Sequence, residues 1–327
     1  MQFPQAGETA LDLWLERSLF AGVVLIAVFY GLHIAIFLNS MYYVMQAPAT
    51  GKISWPFLSL LVCFFVVGTL QVAAQARFGE LIWIDDRGFT GGPVQWYYKH
   101  YSDPSNILGL AALIFGNFVA DGVLLYRMFI IWNRSTLVMA FPLAAYLAST
   151  ALSVLAVFQA AKPNSGKWSH ASVLYELPFW VLTTSLNVII TIALAYRLMK
   201  MRLAVIGILG ADHAKIYTSV TSCIVESGAI YAAIGVACIV AFLTKSNLLN
   251  IVEPVLAQVL CICPELIILR VARGRAWTRS MAETTSARQV YRDNRLIETS
   301  NKAADLNVSS PALAFEDSGS FEKYAKH

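Results

Sequence analysis

Seven stretches of about twenty or more mostly apolar residues run along the chain, at 18–45, 55–75, 106–131, 136–160, 173–199, 216–243 and 248–272. No other feature limits the fold as strongly. The hydrocarbon layer of a bilayer is ~30 Å thick and a helix rises ~1.5 Å per residue, so ~20 apolar residues make one crossing. Lipid offers no water to the backbone, so a spanning segment is either a helix or a strand of a closed barrel. These runs are too long for barrel strands and lack their alternation. The surface argument agrees. Only 13% of the 327 residues are charged and 57% are hydrophobic, whereas an average soluble domain has about 25% charged residues. Too few charges exist to coat a soluble particle of this length. The expected fold class is all-α, a polytopic membrane protein built as a seven-helix bundle in the plasma membrane or an endomembrane. Most cytosolic enzyme folds, secreted disulfide scaffolds and disordered regulators are excluded, and no nucleic-acid partner is expected.

The runs divide the chain into an N-terminal segment 1–17, a membrane domain 18–273 and a tail 274–327. Glu8, Asp12 and Glu16 precede a first run of full spanning length, so no cleavable leader is expected. Lys and Arg set the orientation. With the N-terminus outside, the inner side holds Lys52, Arg127, Arg134, Arg197, Lys200, Arg202, Lys215, Arg270, Arg273, Arg275 and Arg279. The outer side holds the smaller set Arg17, Arg77, Arg87, Lys99, Lys162, Lys167 and Lys245. The expectation is therefore N-outside and C-inside, with sequons at Asn133 and Asn307 on the cytoplasmic side. The tail starts basic, near Trp277, where an amphipathic helix is expected, and a disordered stretch is expected after it. Cys63, Cys223, Cys238, Cys261 and Cys263 all fall within spans, so no extracellular disulfide framework is expected.

The segment 76–105 on the outer side is dense in aromatic residues and contains Gly91-Gly92-Pro93, a turn signal. It is expected to order into a cap over the bundle mouth, with Trp83, Asp85, Asp86, Arg87, Trp96 and Tyr97 as candidate lid residues. The alternative is an aromatic belt at the lipid headgroups.

Ionisable residues inside spans face the bundle interior, because a charge in lipid costs at least ~2.5 kcal/mol. They are His33, Asp121, Glu176, Glu226, Glu253 and Glu265, with uncharged polar partners Gln71, Asn117, Asn187 and Gln258. Depth along the helices groups His33, Asn117, Asp121, Asn187, Glu226 and Glu265 into one expected polar layer. Asp121 and Glu226 each lie ten residues from the inner end of their runs, ~15 Å deep, and are expected neighbours. Carboxylates gathered in low dielectric cannot all be ionised together. Such a layer serves a conformational switch, an ion site or proton path, or simply interhelical hydrogen bonding.

Chemistry-bearing motifs are missing. No HExxH, GxSxG or phosphate loop occurs, the last run has no lysine for a retinal Schiff base, and the histidines are scattered. No enzyme activity, cofactor or metal is expected. Several phrases together do carry a likeness: Phe29-Tyr30-Gly31-Leu32-His33, Trp83-Ile84-Asp85-Asp86-Arg87, Asp121-Gly122 with Leu125-Tyr126-Arg127, Val225-Glu226-Ser227, and Arg270-Val271-Ala272-Arg273-Gly274-Arg275-Ala276-Trp277. Through them the sequence resembles a large family of seven-span membrane proteins of mushroom-forming (basidiomycete) fungi, predicted from genomes. The resemblance implies fold and lineage and transfers no catalytic or ligand residues. The layout also resembles G-protein-coupled receptors in topology alone; Leu125-Tyr126-Arg127 and Cys263-Pro264-Glu265-Leu266-Ile267 depart from their usual markers. The expected function is receptor-like. A small-molecule or peptide ligand would bind outside, and a cytoplasmic partner would bind at 200–215 and the tail. The alternatives are a proton- or ion-coupled transporter or channel, and a structural scaffold in the bilayer.

Overall fold

The computed structural model describes residues 9–46, 55–163, 166–209 and 211–273. The tail 274–327, the first eight residues, Lys52 and Asn307 lie outside them. Among the described residues the chain is helical and no strand occurs. Seven helices are long and apolar enough to cross a membrane. They belong to α1 (Ala10–Gln46), α2 (Trp55–Glu80), α4 (Pro104–Ile131), α5 (Thr136–Ala160), α6 (His170–Leu209), α7 (Ala211–Leu243) and α8 (Leu249–Arg273), and a short α3 (Gly92–Lys99) lies between α2 and α4.

Several helices are longer than their apolar runs. α1 starts at Ala10 and not at 18, because Thr9 and Asp12 form a reciprocal cap: Thr9 N–H donates to Asp12 Oδ2 at 2.9 Å and Asp12 N–H to Thr9 Oγ1 at 3.3 Å. Residues 10–17, expected in the N-terminal segment, are therefore helix. The expected loop at 200–215 is also largely helix, since α6 runs to Leu209 and α7 begins at Ala211. Hydropathy marks where lipid contact ends, and a helix need not stop there.

The segment 76–105 is ordered throughout. α2 continues to Glu80 and then widens into a π-helical turn, Leu81–Asp85, where Asp86 N–H reaches the Leu81 carbonyl at 3.1 Å. Gly91 and Gly92 take φ of 96° and 74°, backbone that only glycine adopts without strain, and Pro93 opens α3. Asp103 then caps α4 by accepting from Ser105 N–H at 2.8 Å, next to Pro104.

The helices differ greatly in burial. In the most apolar stretch of α8, 72% of residues are buried, against 17% in α1. So α8 is the central helix and α1 is peripheral. Large apolar side chains such as Leu137, Phe141, Phe158 and Ile192 are exposed on the outer faces, the arrangement a lipid-facing surface requires. Inside, α6 and α7 touch closely: a Cβ on Gly228 or Gly235 would stand 2.5 Å or 2.7 Å from the hydroxyl oxygens of Thr191 and Thr184. Small residues let two backbones approach where lipid supplies no hydrophobic drive between helices.

Candidate functional site

Polar side chains gather at three places, and the first lies under the cap. Trp96, Tyr97 and Tyr101 pack with Leu15, Phe78, Ile82, Val94 and Ala160 into a buried cluster. Asp86 accepts from Trp96 Nε1–H at 3.0 Å, and Trp96 stacks on His100 with ring centroids 4.6 Å apart. Trp83 packs edge-on against Phe20 at 5.8 Å. Beneath this roof is a cavity of about 60 Å³, room for a few water molecules. Its walls carry Gln71, Gln75, Tyr97, Tyr101, Asn106, Lys167, Asn250 and Glu253 among apolar residues that include Ile82 and Trp83.

Lys167 anchors this cavity. Its Nζ lies 2.8 Å from Glu253 Oε2 and 3.2 Å from Asn250 Oδ1, and Asn250 Nδ2–H donates to Ser18 Oγ at 3.1 Å. Burial alone lowers an ammonium pKa, but the adjacent Glu253 carboxylate more than offsets that and holds Lys167 above its ordinary value. Burial pushes the Tyr97 phenol up to about 12 and holds Tyr101 well above the ordinary phenol value, so both present neutral O–H groups. Gln71 is 2% exposed and its Oε1 accepts no hydrogen bond from a described residue.

The second place joins α1, α2 and α8. His33 Nδ1 is 3.1 Å from Gln258 Oε1 and its Nε2 is 3.2 Å from Glu265 Oε1, with His33, Gln258 and Glu265 all fully buried. Gln258 Nε2–H donates to the Gly68 carbonyl at 3.1 Å. That bond turns Gln258 Oε1 toward His33, so the network assigns a proton to Nδ1. Nε2 is then the ring atom that meets Glu265 Oε1. A Cβ on Gly68 would lie 2.5 Å from His33 Cε1, so the imidazole fills the space that glycine leaves.

The third place joins α4, α6 and α7. Asn117 Nδ2–H donates to Asp121 Oδ2 at 2.9 Å and to Thr183 Oγ1 at 3.0 Å. Thr183 O–H donates to Asp121 Oδ2 at 2.8 Å, and Tyr231 O–H to Asn117 Oδ1 at 3.0 Å. Asn187 is buried nearby and lines the same cleft as Asp121.

The expected single polar layer is thus two separate hydrogen-bonded groups, with a third under the cap. His33 does meet Glu265, and Asn117 does meet Asp121. Glu226 joins neither. Its side chain is 67% exposed, it accepts from Ser222 O–H at 2.7 Å, and it stands 4.0 Å from Arg270. One reason separates it from Asp121. The interior face of α7 runs through Ile224, Ser227, Gly228 and Tyr231, one and two turns apart, and Glu226 lies off that face.

The candidate lid residues divide as well. Trp83 and Tyr97 line the cavity, while Asp86 and Trp96 hold each other behind it. Asp85 pairs with Arg77 at 3.0 Å on the exposed side, and Arg87 is exposed. Sequence reasoning overlooked Lys167, Thr183 and Tyr231. Lys167 reads as a loop charge, and its partners Asn250 and Glu253 are more than eighty residues away. Tyr231 carried one usable signal, its place one turn after the Ser227-Gly228 pair. No protein-family model, curated protein or solved structure matches the chain.

Proposed function

We propose that the chain is a receptor-like integral membrane protein, N-terminus outside, that recognises a small polar ligand in the cavity beneath its aromatic cap. One observation carries the reading: the roof residues Trp83 and Tyr97 close over a cavity that holds the Lys167–Glu253 pair, buried at Lys167 and partly buried at Glu253. A bare aromatic belt would have no reason to roof a buried ion pair. The unsatisfied Gln71 Oε1 calls for an N–H or O–H donor on the ligand. At about 60 Å³ the cavity is far below the ~300–1,000 Å³ of drug-sized sites, so the ligand has few heavy atoms or the cap opens to admit it. The cytoplasmic end, with the α6–α7 helical extension and the tail, would pass the response to a partner.

A second reading, a proton- or ion-coupled transporter, draws on Glu253, Gln258 and Glu265. They stand along one central helix over ~18 Å. Two measurements on the full chain in bilayers separate these readings. Proteoliposomes under H⁺, Na⁺ or K⁺ gradients are expected to show no flux; flux that falls in Glu265→Gln would replace the receptor reading with the transporter one. A panel of small amino, hydroxy and carboxylic solutes is expected to include one that raises the melting temperature, with the effect lost in Gln71→Leu. No response from any solute, together with no flux, would overturn both readings and leave a scaffold. For orientation, a C-terminal tag is expected to stain only after permeabilisation, with Asn133 unglycosylated.

A further inference from the structure

We propose that the ligand of the capped cavity is a zwitterion of glycine's size, a small α-amino acid. This rests on the reading above only in taking that cavity as the binding site.

The cavity holds one cation and one anion side by side, each with bonding capacity to spare. An ammonium has three N–H donors. Lys167 gives one to Glu253 Oε2 and one to Asn250 Oδ1, and the third has no partner among the described residues. Glu253 spends Oε2 on that contact, and its Oε1 accepts from no described residue. Tyr97 and Tyr101, 5% and 6% exposed, line the same space, and their hydroxyls bond to no described residue. They add two donors to that of Lys167. Gln71 adds an acceptor, since its Oε1 meets no donor. Its place is beside the anion: Gly68 of α2 meets Gln258 of α8, and one turn along each helix toward the cap brings Gln71 level with Pro254, next to Glu253. A ligand carboxylate is thus matched to Lys167 and the two phenols, and a ligand ammonium to Glu253 and Gln71.

Charge and size narrow the class. Lys167 and Glu253 are the charged side chains of the lining; Glu176 is buried within electrostatic reach of Lys167 but does not line the space. A ligand with one net charge would leave that charge unbalanced in a buried site. An uncharged amide answers each charge of the pair with a dipole, whereas a zwitterion answers it with an opposite charge where the dielectric is low. The cavity of about 60 Å³ admits about four or five heavy atoms. Glycine fits that size, and a branched side chain does not fit beneath Trp83 and Tyr97.

The test uses the full chain in nanodiscs at constant pH and ionic strength. Glycine is expected to raise the melting temperature in a saturable way, by roughly 3 °C at ten times the midpoint concentration. Ethylammonium, acetate, acetamide and valine, each lacking one required feature, are expected to have no effect at that concentration. Labelled glycine should bind with one site per chain. Tyr97→Phe and Tyr101→Phe keep the ring and remove a hydroxyl that bonds to no described residue, so both should fold, and each is expected to raise the glycine midpoint about tenfold. An unsaturable rise with glycine, the general action of an excluded osmolyte, overturns the proposal. So does an equal effect of acetamide, or a midpoint unchanged in both variants. If glycine is inert while another small solute acts, the zwitterion falls and the receptor reading stands; if every solute is inert, both fall.

Discussion

Under the cap, Glu253 meets the ammonium of Lys167 at 2.8 Å, whereas deeper in the bundle Asp121 meets only the uncharged Asn117 and Thr183. His33 and Glu265 lie between these extremes, two titratable side chains in hydrogen-bond contact at 3.2 Å. The difference shows that this bundle meets the cost of burying a carboxylate in separate ways. At the cap end a loop can reach in and deliver a full opposite charge. In mid-bundle only helix side chains are in reach, and a cationic side chain there would itself need burial, so hydrogen-bond donors take that place. The consequences for perturbation follow. Removing one member of an ion pair strands a charge, while removing a neutral donor strands a dipole.

Single substitutions at five positions test that contrast. Lys167→Met should be the most damaging, destabilising by about 3–5 kcal/mol, because Glu253 is left without its partner. A further Glu253→Leu change should recover most of the loss in denaturation in bilayers. A single-variant loss under 1 kcal/mol would break the comparison. The ammonium is held above its usual 10.5 in the folded chain. Its contribution is therefore complete below that value and is lost only as pH rises through the raised one.

His33→Leu should follow, at about 2–3 kcal/mol, since Gln258 Oε1 and Glu265 Oε1 both lose their partner. Gly68→Ala should reproduce part of this effect by pushing the imidazole away, a steric loss of about 1–3 kcal/mol. If Gly68→Ala is neutral while His33→Leu is damaging, the tight seat of the ring is not what holds the pair.

Asp121→Leu should destabilise by about 1–3 kcal/mol, while Asp121→Asn is tolerated because an amide oxygen still accepts from Asn117 and Thr183. Equal loss in the two variants would mean that the charge itself matters and would erase the distinction from the cap end. Smallest of all should be Glu226→Gln, within about 0.5 kcal/mol, given its exposed side chain. A loss above 1 kcal/mol would return Glu226 to the bundle interior.

Much of the architecture was legible beforehand for local reasons. The apolar runs marked seven helices. Gly91-Gly92-Pro93 announced a turn that the backbone bears out in two positive φ angles. The spacing of Asn117 and Asp121, one turn apart, forecast a shared face, and they are hydrogen-bonded at 2.9 Å. Helix ends were less legible. α1 and α7 extend past their apolar runs, because a capping pair or helix–helix packing can support backbone that lipid does not.

The rotation of each helix about its own axis could not be read at all, and it decided the site. In water a helix shows its interior face by its apolar stripe. Here the lipid-facing and buried faces are both apolar, so nothing in the pattern says which way Glu226 or Tyr231 points. Depth alone made Glu226 a neighbour of Asp121, and the packed bundle gave that place to Tyr231 and Thr183. The same holds for Lys167 and Glu253, brought together across 86 residues by the closure of the helices around α8. Local chemistry in the sequence determined which segments are helices and where the chain turns. Which polar groups meet was decided by tertiary packing, because in a bilayer only contact between helices distinguishes one apolar face from another.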